Sequence, residues 1–308
     1  MQYQTSSAIL FLIFNRPDTT SLVFERIREA RPTRLYVAAD GPRTNREGEH
    51  ALCNETRSII NTIDWDCEVK TRFQDKNLGC KYAVSTAISW FFDQEDEGII
   101  LEDDCLPASD FFRFCDLLLQ RYRHDTRVTQ IVGCNFQAGK KWGAASYYFS
   151  NNLEVWGWAS WKRVWQLYDA ELNGYSETDV EETIQTVFSE PIVTAEYLHL
   201  FKELKAGKID TWDYQLKLIN FFNNGLSIVP NANLISNIGF RPDATHTHTP
   251  DLFADIPHGQ LDEEINHPRC ILPSRKADTK VLNLEFQIDK RKNLQNKLKN
   301  RIKHWLKG

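Results

Sequence analysis

Gly98-Ile99-Ile100-Leu101-Glu102-Asp103-Asp104-Cys105-Leu106-Pro107 is the stretch that decides how this chain is read. An aliphatic run of strand character ends in three consecutive acids, and the helical pattern Phe111-Phe112-Arg113-Phe114-Cys115 follows within a few residues. In a layered α/β domain the C-terminal end of a strand opens into the crevice where ligands bind, so the acids are expected to face a site. Adjacent carboxylates there can hold a hard divalent cation, the clamp a diphosphate needs. A charged strand terminus with no role is the alternative for this stretch taken alone, since acids are common just before a helix.

Upstream, Ala8 to Phe14 reads as a parallel strand covered on both faces, broken by Asn15-Arg16-Pro17-Asp18. Thr19 or Thr20 caps a helix through Leu22, Val23, Ile27 and Ala30, and Arg34 to Ala39 is a second strand ending at Asp40-Gly41-Pro42. A helical segment at Arg57 to Ile60, a short strand Cys67 to Arg72 and a helix through Tyr82, Ala87, Ile88 and Phe91 lead to the acidic strand. Alternation at this interval predicts an α/β fold with a mostly parallel sheet flanked by helices and right-handed crossovers.

Downstream, Val128 to Gly133 reads as a fifth strand and Leu226 to Pro230 as another, with helices through Val180–Phe188, Ala195–Leu204 and Leu216–Phe222 between them. Trp156-Gly157-Trp158-Ala159-Ser160-Trp161 packs three indoles around one glycine, as core or as the wall of a concave site that stacks on sugars. Residues 241 to 258 are irregular, with three prolines and the alternation Thr245-His246-Thr247-His248-Thr249, and are expected to form a loop over the site with His246 as a lid contact. From Lys290 to Lys307, basic residues surround the apolar row Leu294, Leu298, Ile302, Trp305 and Leu306, a basic amphipathic helix suited to an anionic membrane surface or to docking on its own protein. The division expected is a main domain over 1–265 and a C-terminal extension over 266–308.

With 308 residues, 42% hydrophobic and 26% charged, the chain has the make-up of a globular protein, and its formal charge of −5 gives no reason to expect nucleic-acid binding. Seven scattered cysteines, never in C-x-x-C spacing, indicate neither a disulfide framework nor a zinc cage and are expected to be reduced thiols. The run Ala8 to Phe14 is too short for a membrane span and wrongly flanked for a signal peptide, so a cytoplasmic protein is expected, peripheral at most to the inner face of a membrane.

The order of these features, with Asn15-Arg16-Pro17 after one strand, Asp40-Gly41 after the next, Asn77-Leu78-Gly79 opening a helix and then Glu102-Asp103-Asp104, resembles the GT-A-type nucleotide-sugar glycosyltransferases. Within that group it is similar to the N-acetylglucosaminyltransferase I family, whose Glu-Asp-Asp motif sits in a like setting, and the likeness extends through Val155-Trp156-Gly157-Trp158 and Trp212-Asp213 to Ile228-Val229-Pro230. The resemblance implies that Asp104 binds manganese or magnesium, with Asp103 and Glu102 near the ribose and sugar. It implies that Arg16 and Asp40 line the nucleotide pocket, Asp40 accepting from a uracil N–H, and that Asn77 and Trp158 belong to the donor site. Lys81, also assigned to that site, stands where vertebrate members carry a histidine. Asp213 is the implied general base in an inverting transfer from a UDP-sugar, UDP-N-acetylglucosamine among them, to a glycan or lipid-linked acceptor.

By residue type alone, Asp210, Asp179 and Glu154 compete with Asp213, and Trp212 favours Asp213 because an apolar neighbour desolvates a carboxylate. Three other classes fit less well. A metal-dependent phosphohydrolase needs more ligands, usually paired histidines. A nucleotidylyltransferase needs a Gly-rich phosphate loop after the first strand, which Asn15-Arg16-Pro17-Asp18 is not. A non-catalytic carbohydrate-binding protein explains the tryptophans and leaves the acids without a purpose.

Overall fold

In the computed structural model, residues 3–240 and 256–305 are described. The chain runs β1 (Ile9–Ile13), α1 (Pro17–Ala30), β2 (Arg34–Ala39), α2 (Glu49–Ser58), a 3-10 turn (Ile59–Thr62), β3 (Glu68–Phe73), α3 (Gly79–Gln94) and β4 (Glu97–Glu102). Next come β5 (Cys105–Pro107), α4 (Ser109–Tyr122), β6 (Val128–Val132), β7 (Tyr147–Ser150), β8 (Trp158–Trp161) and α5 (Lys162–Trp165). The remainder is α6 (Glu177–Val187), α7 (Pro191–Lys205), α8 (Asp213–Phe222), β9 (Leu226–Pro230), β10 (Ile235–Asn237), α9 (Arg275–Phe286) and α10 (Ile288–Trp305).

Eight strands form one sheet in the order β3-β2-β1-β4-β8-β6-β9-β7. β3, β2, β1 and β4 pair in parallel, as do β6 and β9, while β8 and β7 run against their neighbours. The expected α/β class with a mostly parallel sheet is therefore what the chain adopts. All five residues of β1 are buried, because helices cover both faces of a parallel sheet. Their side chains alternate: Ile9, Phe11 and Ile13 join the layer of α1 and α4, whereas Leu10 and Leu12 join that of α3.

Strand order reverses at β1, with β2 on one side and β4 on the other. At such a switch point the connections leave in opposite directions and a crevice opens beyond the strand ends. Two short elements then shape that crevice. β5 and β10 form an antiparallel ribbon, Cys105 opposite Asn237 and Pro107 opposite Ile235, which carries the residues after β10 back over the acidic strand end. α6, α7 and α8 build a third apolar cluster around Val180, Tyr197 and Phe221, which Leu282 of α9 joins.

α9 is absent from the elements read in the sequence, yet it is part of the body. Ala277, Val281 and Leu282 are buried, and buried Asp278 accepts hydrogen bonds from Ser150 Oγ at 2.5 Å and the Asn151 amide at 3.2 Å. Among the described residues no helix is long and apolar enough to cross a membrane.

Candidate active site

The ends of β1, β2 and β4 open into a cleft of about 800 Å³. Arg16, Asp40, Asn77, Glu102, Asp103 and Asp104 line it, and so does Asp213 from α8. Seven positions separated by up to two hundred residues in sequence thus meet in one cavity.

Arg16 organises the acids. Its guanidinium lies 2.6 Å from Asp103 Oδ1 and 3.0 Å from Asp104 Oδ2, and Asp103 also accepts the Phe14 amide at 3.1 Å. Burial opposes the charge on Arg16, but Asp103 and Asp104 outweigh it and its pKa rises. Burial likewise pushes Asp103 up to about 7, even with Arg16 beside it. Glu102 is raised well above the usual carboxylate range by burial and then by its acidic neighbours.

Asp104 sits in a closely fitted place. The Ile238 amide donates to its carbonyl at 2.9 Å, and a Cβ added at Gly239 would lie 2.2 Å from its Oδ2. Only a residue without a side chain leaves room for the carboxylate there. Among the described residues no group of three or more metal-ligating side chains converges. That donor set fits a cation held by one carboxylate with substrate phosphates and water supplying the rest, the usual habit of magnesium at nucleotide sites.

Asp40 lines the cleft as an anchor. Its two oxygens accept from the Gly41 amide at 2.8 Å, the Leu78 amide at 2.9 Å, the Gly79 amide at 3.2 Å and Asn77 Nδ2 at 2.8 Å. A uracil N–H would have to share oxygens already engaged by four donors. Asp210 takes the next two amides of the same helix start, Cys80 and Lys81, each at 3.0 Å. Gly79, at φ +79°, lets the chain turn there, and a Cβ would lie 2.7 Å from Asp210 Oδ2. Asp210 therefore fixes α3 rather than standing ready as a base.

Asp213 opens α8 and accepts a hydrogen bond from Thr211 Oγ1. Trp212 is buried in the core, stacked on Trp158 with centroids 5.9 Å apart, and so pins the start of α8. The indoles divide: Trp158 and Trp161 are core, and Trp156 is in the cleft wall. Trp158 and Lys81 thus stand apart from the cleft wall. Lys81 Nζ is engaged by Glu171 at 2.7 Å, beyond the donor pocket assigned to it. His246 and the expected lid at 241–255 lie outside the described residues.

Several cleft residues were missed in the sequence. Arg43 and Arg72 line the cavity with Arg16, the Arg43 guanidinium being bound by buried Glu49. Lys217 of α8 lies between Glu154 Oε1 at 3.8 Å and Glu285 Oε1 of α9 at 3.7 Å. Burial opposes the Lys217 charge, but the two glutamates outweigh it and hold its pKa well above the usual lysine value. Burial pushes Glu154 up to about 7 against the pull of Lys217. Lys217 had a legible signal: it stands four residues after Asp213, hence on the same helix face, amid Leu216, Leu218 and Ile219.

No family model matches the sequence, and no curated protein matches it. Among solved structures the chain is similar to UDP-glucose pyrophosphorylase complexed with UDP-glucose, with TM-score 0.34 and 11% identity over 53% of this chain and 78% of that one. It is also similar to HddC from Yersinia pseudotuberculosis, with TM-score 0.31 and 9% identity over 53% of this chain and 80% of that one. For the glycosyltransferase GlyE in Streptococcus pneumoniae TIGR4 the TM-score is 0.33 with 10% identity, covering 73% of this chain and 45% of that one. These are loose likenesses of chain arrangement, and the functional reading rests on the cleft.

Proposed function

We propose that this chain is an inverting glycosyltransferase that moves a sugar from a nucleoside-diphosphate sugar, a UDP-sugar, to a hydroxyl of a glycan or lipid-linked acceptor. One arrangement carries the reading: Arg16 bridges Asp103 and Asp104 at a strand end, in a cleft that Asp213 shares. The order of motifs that resembles the N-acetylglucosaminyltransferase I family supports it as well.

Arg16, Arg43 and Arg72 offer positive charge to a diphosphate. A divalent cation, manganese or magnesium, held by Asp104 and the substrate's phosphates would supply charge neutralisation to the departing diphosphate. Asp213 takes the proton of the acceptor hydroxyl as its oxygen forms the bond to the anomeric carbon. The bond from that carbon to the diphosphate oxygen breaks on the opposite face, its electron pair leaves with the diphosphate, and the configuration inverts. Such a base is worth ~10² to 10⁴-fold in rate.

α10 would hold the enzyme against an anionic membrane surface. From Lys290 to Gly308 the sequence has eight basic residues and no acid, and Leu294 and Leu298 are exposed. Its first turn is tied to α7 through Arg291 with Glu196 and Lys292 with Glu190.

Calorimetric titration with a panel of nucleotide sugars, with and without Mn²⁺, tests the reading. Metal-dependent binding of a UDP-sugar, followed by transfer, is expected. Binding of none of them overturns it, and release of UTP from a UDP-sugar plus pyrophosphate would move the chain to nucleotidylyl transfer.

A further inference from the structure

Lys217 is the most enclosed basic side chain in the cleft, only 8% exposed, yet it lines the cavity. Its glutamates at 3.7 and 3.8 Å are ion-pair neighbours beyond hydrogen-bond reach. An ammonium carries three donors, and among the described residues none of the three finds an acceptor at bonding distance. Donors left open on a buried lysine at a cavity wall are places for a ligand's oxygens.

The surroundings select that ligand. Two carboxylates face one ammonium, and with Glu154 pushed up to about 7 the ammonium is already matched by Glu285, so an added anion would find no spare positive charge. A neutral, hydroxyl-rich molecule suits the set, because a hydroxyl can accept from Lys217 and donate to a glutamate at once. Trp156, two residues after Glu154, lines the same cleft, where its ring meets Phe136 and Phe240 edge-on, and adds an aromatic surface for the C–H face of a ring. The position is also specific: Lys217 lies one helical turn beyond Asp213, on the side of α8 where α9 brings Glu285, whereas Asp103 and Asp104 belong to the β4 end.

We propose that Glu154, Lys217 and Glu285, with Trp156, form a subsite for a neutral pyranose ring, the sugar whose hydroxyl Asp213 deprotonates. This assignment of the ring to the acceptor rests on the transferase reading, while the subsite rests on the cluster itself. Glu285 belongs to α9, so the C-terminal part of the chain completes the site.

The test is saturation-transfer NMR on the full chain with methyl glucoside, methyl galactoside and the methyl glycoside of N-acetylglucosamine, against glucuronate as the acidic counterpart. Calorimetry of UDP with Mn²⁺ is measured in parallel. Neutral glycosides are expected to bind at least about tenfold tighter than glucuronate, and Glu285→Gln to weaken them about tenfold, the scale of one hydrogen bond to a charged group. UDP affinity should stay within about twofold in that variant, since only sugar contacts are altered. Glu285→Gln keeps Lys217 paired with Glu154 and preserves the fold; Lys217→Met, if it folds, should lose neutral-glycoside binding in the same way. Equal binding of neutral and acidic sugars, no binding of any neutral glycoside, or an unchanged glycoside affinity in Glu285→Gln overturns the subsite. A loss of UDP affinity equal to the glycoside loss overturns its assignment to the acceptor. Failure of UDP to bind the unaltered protein, with glycoside binding still dependent on Glu285, would sink the transferase reading and leave the subsite standing.

Discussion

At the β4 end of the cleft, two acids adjacent in sequence, Asp103 and Asp104, are held by one arginine from the end of the neighbouring strand; at the α8 end, one lysine is held by two glutamates from a loop and from a helix remote in sequence. The first cluster is written in one motif, and the second exists only once α8, α9 and the loop before β8 have packed. Their chemistry differs accordingly. Arg16 makes short direct contacts with Asp103 and Asp104, while Lys217 keeps its glutamates at the distance of an ion pair without hydrogen bonds. On the proposed reading the tight cluster would meet a phosphate-bound cation, and the looser one, with its donors open, a hydroxylated ligand.

Asp213 stands in the same cleft and tests the division most sharply. Asp213→Asn should lower turnover by ~10² to 10⁴-fold with nucleotide affinity retained, read as kcat against the calorimetric Kd. Retained turnover would shift the base to another cleft carboxylate on that side, Glu154 or Glu285. In stability the larger effect belongs to the α8 end. Lys217→Met leaves two glutamates without their cation, which costs about 3 kcal/mol, the low end for a broken buried pair because each glutamate side chain is about a quarter exposed. Urea unfolding measures this, and a loss under ~1 kcal/mol would mean that water already solvates the cluster.

Gly239→Ala acts on the other end alone. Its Cβ would fall 2.2 Å from Asp104 Oδ2 and displace that carboxylate, so metal-dependent nucleotide affinity should drop about tenfold. Neutral-glycoside binding should remain, and a parallel loss of both would join the two ends into one site. The smallest effect is expected outside the cleft. Removal of residues after Asp289 keeps α9 and buried Ile288, so nucleotide binding should persist while sedimentation with anionic vesicles weakens, by about 1 kcal/mol for each basic residue in contact. Equal sedimentation would discard the membrane role of α10.

The parallel half of the sheet was legible because β1, β2 and β4 are continuous apolar runs that end in polar residues, Asn15, Asp40 and Glu102. β5 and β10 were not, since strands of three residues show no period, yet their ribbon sets Gly239 against Asp104. α9 was hidden for another reason: it buries only one narrow face and shows Arg275, Lys276, Asp278 and Lys280 among its apolar residues. Glu285 went unseen with it. Trp158 and Trp161 could be assigned only in three dimensions, because β8 lies inside the sheet and their three-residue spacing sends them to opposite faces, into separate apolar layers. Lys81 and Trp158 were placed by motif order, which ranks residues along the chain without fixing which side chains reach the cavity.

The most direct measurement is calorimetric titration of UDP, with and without Mn²⁺, into the unaltered protein, Asp104→Asn and Glu285→Gln. The expected result is metal-dependent binding in the unaltered protein and in Glu285→Gln, and loss of the metal dependence in Asp104→Asn. Metal-dependent binding that survives Asp104→Asn, or that disappears in Glu285→Gln, would contradict a cleft with its nucleotide end at β4 and its sugar end at α8.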